Sequence, residues 1–453
     1  MGAMGRFLRS MFVCRTKSYQ IQDVKDSARA WWKDVERYQW TVLLMTWLGF
    51  LFDLMDSTLY TLVMGPALRD LLGPAATVQN IGWYGGLIFS IFLVGWALGG
   101  IVFGILADYV GRKRTLMITI LIYALFTGVA GAAGSWWELG LYRFLTGLGV
   151  GGEWAAGAAL LAETWPEKAR AKGAVILQTS AGMGYFVAAF IYLLLGDQSW
   201  RLVFLSGAAP AVLVFFVRRT MKESERWLAT VAPTSHAPVP VRPSRFTLAQ
   251  IFGREFRRDT IVGSLMASIA NCGFWAVSAW VPALIQNRIA LDPSLTAGAS
   301  VSSYVSYAIM ILTIGSLPGY AVIGALADRW GRKPAFGVFF VGGALSAPLI
   351  VLGPWTLAQM LLLLPLLGFF TLGIYAGFPI YLPELYPTRL RTTGAGFCFN
   401  IGRIVSAAGP FLTGIVVLYS GSFEYAISAL SLVYLLGPIV LLFATETRGR
   451  SLA

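Results

Sequence analysis

Five ionisable side chains stand inside long apolar runs of this sequence: Asp53, Asp56, Arg143, Glu153 and Arg403. A charge at mid-bilayer costs at least about 2.5–3.5 kcal/mol on insertion scales, so such groups persist when they are paired, face a cavity and serve a function. Asp53 and Asp56 are three apart and share one helical face. Two carboxylates that close resist joint ionisation, and burial adds to this, so one of them is expected to hold a proton near neutral pH. Arg143 opens the run Arg143-Phe-Leu-Thr-Gly147-Leu-Gly149-Val-Gly151-Gly152-Glu153-Trp154. Its glycines flatten the helix for close packing. Glu153 reads either as a second protonatable group or as a bond to a neighbouring helix. Arg403, in Asn400-Ile-Gly402-Arg403-Ile, is a planar permanent cation suited to two-pronged capture of a carboxylate. Pairing with a span acid such as Glu153, or with backbone carbonyls, is the alternative. The sole histidine, His236, lies in a central loop, so a histidine relay is excluded and proton coupling falls to a carboxylate. Further polar or aromatic candidates to face a cavity are Gln178, Tyr185, Asn271, Trp275, Tyr375, Tyr381 and Asn400.

The elements that position these groups follow from composition. The 453 residues are 57% hydrophobic and only 13% charged, with a mean hydropathy of +0.68. A soluble domain is roughly 25% charged. In lipid the backbone must pair with itself, leaving helices or closed barrels. The apolar runs here are long and continuous, which favours helices over the short alternating strands of a barrel. A span needs about 20 residues, and twelve are expected. They fall near 40–64, 81–107, 115–133, 137–162, 173–195 and 201–217, then near 259–286, 301–327, 334–353, 355–382, 393–418 and 424–443. This divides the chain into an N-terminal tail (1–39), a six-helix bundle (40–217), a polar, proline-rich loop (218–258), a second bundle (259–443) and a short tail (444–453).

A net charge of +13 invites a nucleic-acid reading, but its distribution removes it. All 35 Lys and Arg lie in the N-terminal tail, alternate loops or the C-terminal tail, except Arg69, Arg143, Arg201, Arg288 and Arg403. That is the positive-inside pattern, and it puts both termini and the middle loop in the cytoplasm of a multi-pass cell-membrane protein. The N-terminus carries no apolar core before Trp31 and is no cleaved signal. Trp31, Trp32, Val35 and Tyr38, with Lys33 and Arg37, suit a short interfacial helix. Cys14, Cys272 and Cys398 provide neither a disulfide framework nor metal-ligand spacing.

An internal repeat is plain. Gly104-Ile-Leu-Ala-Asp108-Tyr-Val-Gly111-Arg112-Lys113 recurs as Gly324-Ala-Leu-Ala-Asp328-Arg-Trp-Gly331-Arg332-Lys333, and Glu163-Thr-Trp-Pro166-Glu-Lys-Ala-Arg170 recurs as Glu384-Leu-Tyr-Pro387-Thr-Arg-Leu-Arg391. Two elements in one order at one spacing mean a duplicated six-span unit. At these residues the sequence resembles the major facilitator superfamily over essentially its whole length. The resemblance implies an all-α fold of two pseudo-symmetric six-helix bundles with a site between them. It also implies that Asp108, Arg112, Glu163 and Arg170, with Asp328, Arg332, Glu384 and Arg391, form a cytoplasmic gate whose ion pairs make and break between two states. The alternative is a pair of solvated basic loops.

Lys222-Glu-Ser-Glu-Arg226-Trp227 and Glu446-Thr-Arg448-Gly449 look like degenerate signatures of the sugar-porter branch, lacking its prolines. In that branch the arginine of R-x-x-x-G-x-G-x-G pairs with a first-span aspartate. Aligning Leu51-Phe-x-x-x-Asp56-Ser-Thr with that branch, with one extra residue, makes Asp56 the implied proton carrier and Arg143 the partner that favours its ionised form in one state. A static ion pair is the alternative. Gln178 falls where sugar porters place a sugar-binding glutamine, but Ser268-Ile-Ala-Asn271-Cys-Gly-Phe-Trp275 lacks their Q-Q pair. The D-x-x-D of the first span, Gly-Gly-Glu-Trp (151–154) and the Asn and Arg near 400 look more like the metabolite:proton symporters that carry sialate, lactate and aromatic acids.

The expected function is therefore proton-coupled uptake of a small organic anion by alternating access. Arg403, Asn400, Gln178, Tyr185, Asn271, Trp275 and Tyr375 would serve the substrate, and Asp56, Asp53, Arg143 and Glu153 the proton. A neutral sugar or polyol symporter is the nearest alternative, and a non-transporting nutrient sensor the alternative of another class. Drug antiport is disfavoured, because Gln178-Thr-Ser-Ala-Gly182-Met-Gly184 lacks the G-P pair of those antiporters. No nucleophile–base set, metal cluster or phosphate loop is present, so no enzyme, cofactor or metal is expected. The partners are a small molecule, a proton and the bilayer, and a monomer is expected.

Overall fold

The computed structural model describes residues 35–165, 167–223, 247–291, 300–387 and 390–448. The expected interfacial helix at Trp31 and Trp32, and the middle loop with His236, lie outside the described residues. So do the side chains of Asp108, Glu163, Arg170, Gln178 and Arg391. Among the described residues there is no strand.

Twelve helical crossings follow in order: α1 (Arg37–Leu72), α2 (Val78–Val110), α3 (Arg112–Ala130), α4 (Trp136–Thr164), α5 (Glu167–Leu195), α6 (Trp200–Thr220), α7 (Arg257–Leu291), α8 (Val301–Arg329), α9 (Arg332–Val351), α10 (Leu357–Glu384), α11 (Thr393–Ser420) and α12 (Phe423–Leu442). Ten stretches of the described residues are long and apolar enough to cross a bilayer. The other two, α4 and α5, have 29 residues each. That is ample for a hydrocarbon core of about 30 Å.

The two ends of the bundle start their helices differently, and the sequence says why. At the end away from the basic loops, hereafter the distal end, α2, α4, α6, α8, α10 and α12 begin behind Thr77, Ser135, Ser199, Ser300, Thr356 and Ser422. Each hydroxyl accepts a backbone N–H of the first turn. At the basic end, α3 and α9 begin behind Gly111 and Gly331, at φ 108° and 107°, a region only glycine enters without strain. Their first N–H groups are capped from elsewhere in the chain. Glu223, after α6, accepts from Arg112 N at 2.8 Å and Lys113 N at 3.1 Å. Glu446, after α12, accepts from Arg332 N at 2.9 Å and Lys333 N at 3.0 Å. Carboxylates at these positions suit the positive ends of the helix dipoles. The two acidic motifs that close each half are thus helix caps for the repeated loops.

Within the first half, the glycine-rich run of α4 lies almost in backbone contact with α2. A Cβ at Gly147 would fall 2.3 Å from the Phe92 carbonyl oxygen, and one at Gly151 only 1.9 Å from that of Trp96. The halves meet along α2–α11, α5–α8 and α1–α7, most closely at the distal end. There Gly86 abuts Pro410, Gly82 abuts Val417 and Gly65 abuts the Gln286 side chain. Gln286, 3% exposed, donates to the Leu62 carbonyl at 2.9 Å and to the Tyr192 hydroxyl at 3.3 Å, both in the other half. Two helices break where the halves enclose space: α7 tightens at Ser278–Trp280 and α10 at Gly373–Gly377. Irregular backbone at this depth is tolerated where it lines a cavity.

Candidate substrate and proton site

Asp56 and Arg143, 87 residues apart in sequence, meet in the first half. One guanidinium nitrogen of Arg143 lies 3.1 Å from Oδ1 and 3.0 Å from Oδ2 of Asp56, and both side chains are 0% exposed. The Thr127 hydroxyl of α3 donates to Asp56. The remaining guanidinium nitrogens of Arg143 find no acceptor among the described residues. Instead the group is boxed by rings: Phe92 at 4.3 Å, Tyr60 at 5.5 Å and Phe204 at 5.8 Å. A cation over aromatic faces keeps part of the stabilisation that water would have supplied.

Asp53, one turn earlier on α1, faces different neighbours. Its carboxyl meets that of Glu153 from α4, and the Tyr123 hydroxyl of α3 lies beside Glu153. Glu153 reaches this place because Gly49 has no side chain; a Cβ there would overlap the Glu153 carboxylate. None of the oxygens of Asp53, Glu153 or Tyr123 completes a hydrogen bond of ordinary geometry among the described residues. A proton held between the two carboxyls would satisfy both. Across the seam, the charge of Arg403 from α11 acts on Asp53. The Arg403 guanidinium lies 5.1 Å from the ring of Trp96 and 5.2 Å from that of Phe399, with Tyr185 and Tyr375 also within reach of its field.

Between the halves lies a small, water-sized cavity lined by Thr58, Thr61 and Tyr185 from the first, and Phe274, Trp275, Ser278, Ala279, Ile309, Leu312, Thr313 and Leu372 from the second. The hydroxyls of Thr58, Thr61 and Thr313 bond back to their own helices, whereas that of Ser278 has no partner among the described residues. The lining is thus aromatic and aliphatic with a few hydroxyls.

Of the residues proposed from sequence, Tyr185 and Trp275 line the cavity. Asn271 does not. Its amide donates to the Ala267 carbonyl at 2.8 Å and its oxygen accepts from Tyr375 at 3.1 Å, so the two form one tie between α7 and α10. Asn400 is half-buried on α11 and is not among the lining residues. Tyr381 belongs to the basic end, where it donates to the Thr445 carbonyl. Sequence reasoning missed Thr127, Tyr123, Trp96 and Gln286. Each is one neutral residue in an apolar helix, and nothing in its local pattern tells a facing neighbour from a lipid tail.

At the basic end, Arg332 clasps Glu384 with two nitrogens, at 3.0 and 2.7 Å, and reaches Asp328 at 3.2 Å. The Thr447 hydroxyl also donates to Glu384. The planar fork of Arg332 holds Glu384 because α9 and α10 are brought side by side. Arg112 and Arg332 occupy matching places, each donating to the carbonyl five residues before it, Ala107 at 2.9 Å and Ala327 at 2.8 Å. Every ion pair among the described residues joins elements of a single half.

The family model of the Major Facilitator Superfamily matches residues 46–309 and 298–452. The chain belongs to this superfamily. It is 32% identical over 422 residues to a putative metabolite transport protein of Haemophilus influenzae, covering 92% of this chain and 99% of that one. It is 31% identical to a probable 4-methylmuconolactone transporter of Cupriavidus pinatubonensis (93% and 94% covered), and 28% identical to a niacin transporter of Acinetobacter baylyi (92% and 96%). Among solved structures, a D-xylose–proton symporter superposes with a TM-score of 0.69 at 18% identity, covering 92% of this chain and 100% of that chain. An inward-facing bacterial homolog of the lysosomal transporter spinster gives 0.67 at 18% identity (90% and 96%). At those identities the likeness concerns the fold. As a member of the superfamily, the protein is a multi-pass membrane transporter of small molecules and not an enzyme.

Proposed function

We propose that this transporter is a proton symporter that carries a small organic anion, an aromatic or unsaturated carboxylate, inward across the plasma membrane by alternating access. The observation that carries the reading is the arrangement at the seam. A buried carboxylate of the first half, Asp53, set against Glu153, lies within electrostatic reach of a cation of the second half, Arg403, and between the halves is a cavity whose walls are aromatic and aliphatic. A flat carboxylate fits both parts: its ring or chain against Tyr185, Phe274 and Trp275, and its charge toward Arg403. Relatives named for 4-methylmuconolactone, niacin, sialic acid, cis,cis-muconate and benzoate support the class.

Coupling follows from competition. Ionised Asp53 and a substrate carboxylate seek the same guanidinium. A proton taken up by the Asp53–Glu153 pair removes the competitor, and the anion then binds. Asp56 supplies the second protonation event: on accepting a proton it gives up its charge, and Arg143 loses its one anionic contact among the described residues, which loosens α1 from α4. The basic end, which the positive-inside pattern makes cytoplasmic, is the end away from the tight seam, so the conformation is read as inward-open. The two-state ion pairs then act at Arg332–Glu384 and its counterpart around Arg112. The protein is taken to act as a monomer with both termini in the cytoplasm.

The test is uptake into proteoliposomes under an imposed pH gradient, inside alkaline, comparing benzoate, nicotinate and cis,cis-muconate with D-xylose. Gradient-driven accumulation of a carboxylate supports the reading. Accumulation of the sugar alone would replace it with the neutral-solute alternative, and carboxylate uptake insensitive to the gradient would remove the proton.

A further inference from the structure

Trp96 lies on α2 at the seam between the halves. Its side chain is 4% exposed, and its indole N–H meets no acceptor among the described residues. A buried N–H of this kind is seldom left without a partner. The neighbours point to what is missing. Arg403, from the other half, sets its guanidinium 5.1 Å from the indole ring. Trp275, also from the other half and part of the cavity wall, stands 6.3 Å away edge-on. One turn back, Phe92 packs edge-on against Trp96 at 5.7 Å while its own face covers Arg143. The backbone under Trp96 is held firmly, since the glycine at 151 brings α4 against its carbonyl. The ring is therefore held firmly on the first half, with a cation of the second over its face and its in-plane N–H left for another acceptor.

Resting on the proposed anion-transport function, we infer that the Trp96 indole N–H is a second donor to the substrate carboxylate, opposite Arg403. A carboxylate has two acceptor oxygens, so one can take the indole N–H while the other takes the guanidinium. A neutral amide of the same shape cannot satisfy both, because one of its two polar ends is a donor. The arrangement makes the substrate a bridge. One donor is rigid on the first half and the other is carried by the second, so bound anion draws the halves together on the side away from the distal seam. Trp96 is a specificity residue in this account, and it selects carboxylates over their amides.

The experiment uses the purified full-length protein in detergent or nanodiscs, with benzoate against benzamide and nicotinate against nicotinamide. Trp96→Phe keeps an aromatic ring for Arg403 and Trp275 but removes the N–H. It should weaken benzoate binding by about tenfold, as expected for one lost hydrogen bond to a charged group, and leave benzamide binding unchanged. Benzoate affinity equal to wild type, or equal losses for both ligands, would overturn the role of Trp96 while leaving the anion reading intact. A wild-type protein that does not prefer benzoate to benzamide would sink the anion reading itself. A measurement on the unmutated sequence guards against a poorly folded variant. With ¹⁵N-labelled tryptophan, benzoate should shift one indole N–H resonance downfield, and the absence of any such shift at saturation would count against the contact.

Discussion

Gln286 of α7 donates its side-chain amide to the backbone carbonyl of Leu62 on α1 at 2.9 Å, a bond that ties the two halves of the transporter together at the distal end. The same nitrogen reaches Tyr192 on α5, and Gly65 leaves room for the amide oxygen. A buried amide bonded across a sliding interface is well placed to hold one conformation, since its partners are lost together when the seam opens.

Gln286→Leu should therefore favour the conformation open at the distal end. Removing these bonds is worth about 1–3 kcal/mol. Spin labels at the exposed distal positions Ala75 and Ser420 would report it as a longer, broader inter-half distance in electron–electron resonance. An unchanged distance distribution would show that the seam is held by packing alone.

Asp56→Asn keeps the size of the side chain and its bond from Thr127 but fixes the charge at zero. Accumulation driven by a pH gradient should vanish, while exchange of substrate between the two sides continues. Normal accumulation in this variant would remove Asp56 from the coupling.

Arg403→Ala should weaken carboxylate binding by about tenfold or more, the scale of a lost bond between charged groups, with a much smaller effect on the matching amide. Equal losses for both would assign Arg403 to packing against Trp96 and Phe399.

Glu446 gives a pH signature outside the membrane. Partial burial pushes its pKa up and opposes ionisation, but the backbone N–H groups of Arg332, Lys333, Arg448 and Thr447 outweigh this, and its pKa falls below the ordinary glutamate range. A group with a depressed folded-state value stabilises the fold above its unfolded value, about 4.3. That stability is lost as pH falls through the folded value. Glu446→Gln should thus lower the melting temperature at pH 7, and the gap to wild type should narrow below about pH 4. A gap that stays constant across pH 3–7 would exclude the ionised cap.

Gly331→Ala places a side chain at a φ of 107° and 2.7 Å from the Glu446 carboxylate. Strain of this kind is worth about 1–3 kcal/mol. The matching drop in thermal stability should exceed that of an exchange at Gly324, where a Cβ meets nothing within 4 Å. Equal drops would mean that the loop conformation relaxes freely.

Much was legible in the chain itself. Long apolar runs, the duplicated loops and the distribution of Lys and Arg specify a twelve-helix, two-part membrane fold, because lipid leaves the backbone no other way to pair and a repeated motif repeats its structure. The intramembrane charges were legible for the same reason: each is conspicuous in oil. What the chain did not declare was partnership. Asp53 and Asp56 share a helix face in the sequence, yet only packing separates them, one toward Glu153 and Arg403 and the other toward Arg143 and Thr127. Only the crossing of α2 and α11 puts Trp96 under Arg403, and only the meeting of α1 and α7 gives Gln286 its acceptor. Helical periodicity states which face of a helix a side chain occupies. Which helix lies opposite is decided by contacts hundreds of residues apart in sequence, and those exist only in the folded chain.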